Sequence, residues 1–336
     1  MPAAVSGREL SRRFYEHAVR SALDATFPGL PHGAALLGRG SEVLGYDDQM
    51  SQDHDWGPRL LLFLHDDDEE RLGDAVRETL RRALPARVAG HPTDHSVNTV
   101  RKYVRDQLAV DVDSQLDARD WLTLPEQLLL MLTSGAVFHD DVGLEVIRRR
   151  FAYYPRDVWL YLMVARWWRV HPEANLVGRA GSLGDELGSA LNGSRLVHDL
   201  MQLCFLLEQR YAPYSKWFGT AFARLDCGAE LSPILWRAVH AATWQQRGQA
   251  LNEAYAAVAA LHNASGITEP VPVQEERMWD RPFTMLWGDF PGALAEAIED
   301  PQVRGIADRW PVGGPDQARD LLWDVQRRGL LRPLFD

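Results

Sequence analysis

The chain has 336 residues, of which 46% are hydrophobic and 25% are charged, as in ordinary folded globular proteins. Its 47 acidic and 36 basic residues leave a net charge of −11, which argues against a nucleic acid partner. The two cysteines give little support to a disulfide framework, and a reducing cytoplasm is expected. No run approaches the roughly 18 apolar residues of a spanning helix, and the N-terminus lacks a signal-peptide core, so we expect no membrane partner.

The first 140 residues have the pattern of a small mixed sheet with helices. An amphipathic helix is predicted over 8–27, followed by a short apolar strand over 33–38 that leads into a glycine-rich turn. A second strand is predicted over 59–64, and the charge order of 67–84, acidic at its start and basic at its end, favours a helix. Further short strands are predicted over 86–89 and 96–100, and further helices over 100–108 and 121–132.

From residue 143 onward, long segments with a period of 3.6 residues predict a helical bundle. These segments cover 157–170, 184–211, 233–261 and 291–299. A proline-rich stretch over 266–282 predicts a surface loop or crossover. We therefore predict an α+β protein with two domains, a small mixed-sheet domain over 1–140 and a mostly helical domain over 141–336 that closes the active-site cleft.

Two acidic residues one position apart give the most informative functional signal. Asp53 and Asp55 follow the pair Gly40-Ser41 after eleven intervening residues and stand just before the second predicted strand. At the start of an extended segment their carboxylates would point to one side, because side chains alternate along a strand. Such a pair can hold Mg²⁺ or Mn²⁺, and the amides and hydroxyl of a Gly-Ser turn can bind phosphate oxygens. The pattern predicts a triphosphate site; the alternative is a solvated acidic loop.

This arrangement resembles the signature of the DNA-polymerase-beta-like nucleotidyltransferases, which include aminoglycoside nucleotidyltransferases. Three segments look more closely like a bacterial nucleotidyltransferase-like family of unknown function, namely GSEVLGYDDQMSQDHDWGP, GAVFHDD and GDELGSALNGSRLVHDLMQLCFLLEQRYAPYSKWFGTAF. The resemblance implies transfer of a nucleoside monophosphate from a triphosphate, with ATP favoured, to a hydroxyl of a small molecule or a protein. It implies Gly40 and Ser41 on the phosphates, and Asp53 and Asp55 on one or two metal ions.

Active members of that superfamily place a third carboxylate on a neighbouring strand. Asp94 stands about where that strand is expected, and we take it as the third catalytic carboxylate. Asp111 and Asp113, in LAVDVDSQLD, are a later alternative with the alternation of a strand. If none of these lies beside Asp53, the resemblance implies a catalytically inactive nucleotide-binding or regulatory protein on the same fold. A metal phosphohydrolase built on the same acids is a third interpretation.

One turn in the helical half supplies candidate nucleotide-binding residues. As in similar transferases, Lys216 would reach the triphosphate from the helical domain, while Tyr214 or Trp217 stacks on the base. The alternative is a packed turn between helices with a lysine whose charged end stays in water.

A second group of residues is predicted to line the substrate pocket. Arg179, Asp185 and Glu186, in GRAGSLGDELGS, form this group, with one of the acids as the general base for the acceptor hydroxyl. Helix capping is the alternative role for Asp185. The HDD motif that begins at His139 either contributes to the cleft or is structural.

Overall fold

The chain is an α+β protein that divides into two compact units. The structure is a computed structural model that describes residues 5–53, 56–309, 311, 313–314, 328–329 and 332–335, without the side chains of residues 53 and 334. The sheet unit combines Met1–Gln115 with Glu126–Ala152, and the helical unit combines Leu116–Pro125 with Tyr153–Asp336. None of the helices within these described ranges is long and apolar enough to cross a membrane.

A four-stranded mixed sheet organises the sheet unit. The strands are β1 (Gly33–Leu36), β2 (Arg59–Leu64), β3 (Arg87–Val88), β4 (His91–Pro92), β5 (Asp94–Thr99) and β6 (Ala136–Asp140). The order in the sheet is β5-β2-β1-β6, while β3 and β4 form a separate two-stranded ladder. β1 runs antiparallel to both β2 and β6, and β5 runs parallel to β2. The end of β1 and the starts of β2 and β5 therefore share one edge, called the turn edge; the start of β1 and the ends of β2, β5 and β6 share the far edge.

Helices pack against this sheet and make up most of the helical unit. In chain order they are α1 (Gly7–Phe14), α2 (Arg20–Thr26), α3 (Ser41–Leu44), α4 (Asp66–Ala83), α5 (Val100–Leu108), α6 (Ala118–Trp121), α7 (Glu126–Thr133), α8 (Leu144–Arg150), α9 (Arg156–Gly181), α10 (Glu186–Leu207), α11 (Ser215–Phe222), α12 (Gly228–His240), α13 (Trp244–Ser265), α14 (Phe290–Glu296) and α15 (Pro301–Arg309). Two further strands, β7 (Gln274–Arg277) and β8 (Thr284–Trp287), pair in an antiparallel ladder in the helical unit.

The first predicted helix forms with a π-helical segment, Tyr15–Val19, between α1 and α2. Phe14 and Val19 are five positions apart, a spacing that a π-helical turn with its i to i+5 hydrogen bonds brings onto one face. Both side chains are buried in the same core as Leu62 of β2 and Leu80 of α4. Burying each of these apolar side chains contributes roughly 1.5–3 kcal/mol before entropy is subtracted. The sheet unit therefore has a core of its own.

Several predicted segments are confirmed. In two places, a segment predicted as a single helix contains two helices in the structure. β2 and α5 have the predicted ends. The helix predicted over 121–132 is interrupted between α6 and α7 at Pro125, which disfavours helical backbone in the residue before it. The helix predicted over 233–261 is broken between α12 and α13, where the side chain of Thr243 accepts a hydrogen bond from the Gln246 amide and caps the second helix.

Tight aromatic packing forms part of the core of the helical unit. The rings of Trp167 and Phe290 stack with centroids 4.3 Å apart, and both side chains are buried. His262 is fully buried beside them and accepts the indole N–H of Trp167 at Nδ1, 3.3 Å away, while its Nε2 lies 3.2 Å from the Thr268 hydroxyl. Burial lowers the pKa of His262 to about 4, so this histidine is neutral in the folded protein at neutral pH.

We expect His262 to make the helical unit sensitive to acid. Between the unfolded pKa of about 6.5 and the folded pKa of about 4, the unfolded chain binds this proton and the folded chain does not, so stability falls as pH falls. The loss between pH 7.5 and pH 5 is about 2 kcal/mol from this group. Urea denaturation at the two pH values should show a smaller pH dependence in His262→Gln, while His240→Gln, an exposed control, should keep the wild-type dependence. If the free energy of unfolding of His262→Gln depended on pH as strongly as that of the wild type, His262 would not be the source of the acid sensitivity.

Candidate functional site

The glycine-rich turn lies at the turn edge, between the end of β1 and the start of α3. Gly38 and Gly40 have φ angles of 87° and 115°, which favour glycine over any residue with a side chain. A Cβ atom at Gly40 would also overlap the guanidinium of Arg59 and lie 2.5 Å from Oε2 of Glu42. Ser41 begins the short helix α3, so its backbone amide and hydroxyl belong to the turn. Both the backbone and the neighbouring side chains therefore require glycine here.

A buried ion pair lies against this turn. Nε of Arg59 donates to Oε1 of Glu42 at 3.0 Å, and Nη2 of Arg59 contacts the same oxygen and the carbonyl of Arg39. The Glu42 side chain is 0% exposed and that of Arg59 is 19% exposed. Burial raises the pKa of Glu42, and the positive charge of Arg59 opposes that shift. Because Arg59 is the first residue of β2, the pair attaches the turn to the sheet.

The sequence patterns did not point to Glu42, Arg59 or Arg39 as site residues. Arg39 is exposed between the two glycines of the turn and carries a positive charge there. A basic residue inside a Gly-x-Gly turn was the available signal for Arg39. The pairing of Glu42 with Arg59 had no local signal, because these residues are 17 positions apart and meet only in the folded sheet.

The loop after α3 is held by acidic side chains with structural roles. Oδ2 of Asp47 accepts the Gly7 amide at 2.9 Å and the Trp56 indole N–H at 3.1 Å. Oδ1 of Asp48 accepts the Ser51 amide at 2.8 Å. These bonds fix the chain that leads to Asp53, and they use the two acids as local acceptors.

Asp53 does not open a strand, and the prediction of an extended Asp-x-Asp at that residue was wrong. Its backbone ends a 3-10 turn, Met50–Asp53, and β2 starts only at Arg59. Gly57, with a φ of 143°, and Pro58, which has no amide hydrogen, stand between them and delay the strand. The side chain of Asp53 and the whole of Asp55 lie outside the described residues.

Asp94 lies at the turn edge, as the first residue of β5. Its Cα pairs with that of Arg59 in the parallel ladder, and its amide donates to the Pro58 carbonyl at 3.1 Å. The residue is exposed. The structure therefore brings the Gly40-Ser41 turn, the start of β2 and Asp94 to one edge of the sheet.

The alternative acids, Asp111 and Asp113, are occupied elsewhere in the sheet unit. Nη1 of Arg101 contacts Oδ1 of Asp111 at 2.7 Å, and the same guanidinium contacts Asp113 and Asp66. Asp66 follows the end of β2, at the far edge. The Asp113 amide and the Arg101 charge lower the pKa of Asp111. These acids form an ion-pair cluster around Arg101, away from the turn.

The predicted substrate-pocket residues lie around the junction between α9 and α10. Oδ1 of Asp185 accepts the Gly188 amide at 2.7 Å and caps α10. Oε1 of Glu186 accepts the Trp244 amide at 3.1 Å, and Oε2 lies 3.2 Å from the guanidinium of Arg247. Arg179, near the end of α9, donates to Asn175 at 3.4 Å. Asp185 thus has a capping role and Glu186 joins α10 to α13.

The predicted nucleotide-binding residues of the helical unit lie at the start of α11. Tyr214 is the residue just before the helix, and Lys216 is in its first turn. Lys216 is exposed, and its Nζ lies 4.8 Å from the ring centroid of Trp217. Such an exposed cation can bind an anion or remain in water, and the contact with Trp217 is compatible with either role.

The helical unit also contains a cavity of about 300 Å³ that sequence patterns did not predict. It lies between α9, α10, α13 and the residues around β8, and its lining includes Val177, Trp244, Tyr255 and Phe283. Its volume and mostly apolar lining are those of a small-molecule pocket. The described lining residues do not include Arg179, Asp185, Glu186, Tyr214 or Lys216.

Comparisons with known proteins give similarities of limited extent. The family model described as Domain of unknown function (DUF4037) matches residues 121–218, a range that begins after the Gly40-Ser41 turn. Among solved structures, the chain is similar to a nucleotidyltransferase-like protein from Exiguobacterium sibiricum, with 11% identity and a TM-score of 0.32, over 83% of this chain and 97% of that one. No curated protein matches the chain.

Proposed function

We propose that the protein transfers a nucleoside monophosphate from a nucleoside triphosphate, with ATP favoured, to a hydroxyl of a small molecule or a protein. One observation carries the proposal. The Gly40-Ser41 turn, the start of β2 and Asp94 share the turn edge of the sheet, and Arg59 contacts the turn while pairing with Asp94 in the ladder. A phosphate-binding turn beside acidic residues is the combination that nucleotidyl transfer needs.

The acidic residues of the predicted site have the chemistry of ligands for a hard divalent cation. Asp94 and the sequence pair Asp53 and Asp55 offer carboxylate oxygens, which Mg²⁺ and Mn²⁺ prefer, and no thiolate competes with them. These three residues would hold the metal. When bound, such an ion lowers the pKa of an attacking hydroxyl and stabilises the departing pyrophosphate.

The protein's own groups would bind and orient the nucleotide. The backbone amides of Gly40 and Ser41 and the Ser41 hydroxyl would bond phosphate oxygens, and the exposed Arg39 adds a positive charge at the same turn. Lys216 on the triphosphate and Tyr214 on the base stay predictions from the sequence. Arg179 and Glu186 stay the predicted acceptor-side residues, while Asp185 caps α10.

A second candidate function is a nucleotide-binding regulatory protein without turnover. The observation that favours it is the 3-10 backbone of Asp53, because the extended backbone on which the prediction of a paired metal site rested does not form at that residue. Wild-type protein that binds a nucleoside triphosphate but releases no pyrophosphate would support this candidate over the enzyme.

The test combines binding and turnover in matched variants. Calorimetry with the four nucleoside triphosphates and Mg²⁺ should detect binding, and pyrophosphate release should detect transfer to water or to added polyols. Asp94→Asn is expected to lower turnover at least about 10²-fold, the loss typical when one group that stabilises developing charge is removed. Asp111→Asn, at the Arg101 cluster, is the control and should stay within about twofold. Absence of binding for all four nucleotides would refute both candidate functions.

A further inference from the structure

Two histidines and an aspartate cluster at the far edge of the sheet. His32 directly precedes β1, His139 is in β6, and Asp141 directly follows β6. The antiparallel register pairs Gly33 with Asp140, which brings the three residues together. Each offers one ligand atom, and these atoms all lie within 4.8 Å of one another. The HDD motif of the sequence is thus completed by a histidine more than one hundred positions earlier.

The imidazole of His32 is arranged like a metal ligand. Its Nδ1 lies 2.9 Å from the carbonyl of Leu30, and because a carbonyl only accepts, Nδ1 carries the proton. Nε2 then carries the lone pair, which accepts the hydroxyl of Tyr15 at 2.9 Å, and a metal ion at Nε2 would replace this hydrogen bond. A metal-binding histidine commonly donates its other N–H to a backbone carbonyl in this way.

The other two side chains leave the cluster open to solvent. Nε2 of His139 lies 2.7 Å from Oδ2 of Asp141, and their side chains are 30% and 48% exposed. The neighbouring Asp140 has a different role, because its carboxylate accepts the amides of Leu144 and Glu145 at the start of α8. The two adjacent acids of the motif are therefore divided between helix capping and the cluster.

We propose that His32, His139 and Asp141 bind a divalent transition-metal ion of the zinc class. Two imidazoles and one carboxylate form a donor set that zinc favours and Mg²⁺ does not, and three protein ligands leave a position for water. The hydroxyl of Tyr15, which donates to Nε2 of His32, would turn away from that nitrogen when the ion binds.

This site is separate from the proposed nucleotide site. The cluster is at the start of β1 and the Gly40-Ser41 turn follows its end, so four strand residues, about 13 Å, separate them. An ion at the cluster joins the segment before β1 to the end of β6. Its effect is to stabilise the sheet unit rather than to take part in nucleotidyl transfer.

The test uses the full chain after treatment with a chelator. Titration with Co²⁺ should give the visible absorption of a low-symmetry cobalt site at a single equivalent, and competition with a chromophoric chelator should give the Zn²⁺ affinity. His139→Ala and Asp141→Asn are expected to lower that affinity at least about tenfold. His65→Ala, which changes an exposed histidine outside the cluster, should bind as the wild type does. Excess Zn²⁺ should raise the Tm of the wild type and of His65→Ala, but not of His139→Ala.

Two outcomes would overturn the site. One is the absence of stoichiometric Co²⁺ or Zn²⁺ binding in the wild type; the other is unchanged affinity in both His139→Ala and Asp141→Asn. Because Asp141→Asn keeps the shape of the side chain, it tests the site if His139→Ala does not fold. Asp55→Asn should retain Zn²⁺ binding, so failure of the proposed nucleotidyl transfer would leave this result unaffected.

Discussion

Asn in place of Asp53 or Asp55 is expected to lower Mg²⁺-dependent turnover by at least about 10³-fold, because the change removes a charged metal ligand worth several kcal/mol in the transition state. The side chain keeps its size, so the free energy of unfolding should stay within about 0.5 kcal/mol of the wild type. Pyrophosphate release with ATP and Mg²⁺ measures the first quantity, and urea denaturation measures the second.

Two variants separate this effect from a general effect of acidic residues. Asp24→Asn changes an exposed acid on α2 and should keep full turnover. Asp47→Ala should act through stability instead, because it leaves the Gly7 amide and the Trp56 indole N–H without their acceptor, at a cost of about 1–3 kcal/mol. Full turnover in both Asp53→Asn and Asp55→Asn would remove the metal assignment.

Arg59→Ala is expected to destabilise the protein by about 3–5 kcal/mol, the usual cost of leaving one member of a buried ion pair without its partner. Glu42 is 0% exposed in the wild type, so removal of the guanidinium leaves its carboxylate in the interior without a charged partner. The turn should loosen as well, since Arg59 also contacts the Arg39 carbonyl. We therefore expect weaker nucleotide binding together with the loss of stability.

A double substitution tests whether the loss of stability in Arg59→Ala comes from the unpaired charge or from the changed side-chain shape. Glu42→Gln combined with Arg59→Met removes both charges and keeps similar volumes, so most of the lost stability should return. The penalty in Arg59→Ala should also shrink as pH falls toward about 4, because Glu42 can then take up a proton in both the folded and the unfolded chain. Arg59→Ala with wild-type stability in urea at pH 7 would show that the pair does not hold the turn.

Much of the fold could be predicted from periodicity and turn residues. The run Arg59–Leu64 is apolar and short, and it forms β2 with the predicted ends. The helix predicted over 67–84 from its acidic start and basic end, a charge order that suits the helix dipole, forms as α4. Each end of α4 differs from the prediction by one residue. The break between α12 and α13 was missed because neither glycine nor proline marks it, and only the cap at Thr243 shows where the second helix begins.

The candidate site was predictable only in part. The Gly-Ser turn was visible because its backbone requires glycine, and Asp94 was chosen from the family resemblance, which implies a carboxylate on a neighbouring strand. The extended backbone expected at Asp53 was wrong because Gly57 and Pro58 keep the chain out of the strand until Arg59. For Asp185 the sequence left open a pocket role and a helix-capping role, and the hydrogen bond that it accepts from the Gly188 amide shows the capping role.

The amino-acid order by itself determined the apolar strands, the amphipathic helices and the bend at Gly40, since each depends on neighbours within a few positions. Only the tertiary structure brings Glu42 into contact with Arg59, and Asp111 and Asp113 into contact with Arg101. It also places His32 beside His139 and Asp141. Those contacts depend on strand order and register, which are set by packing between distant segments, and no local pattern of residues encodes them.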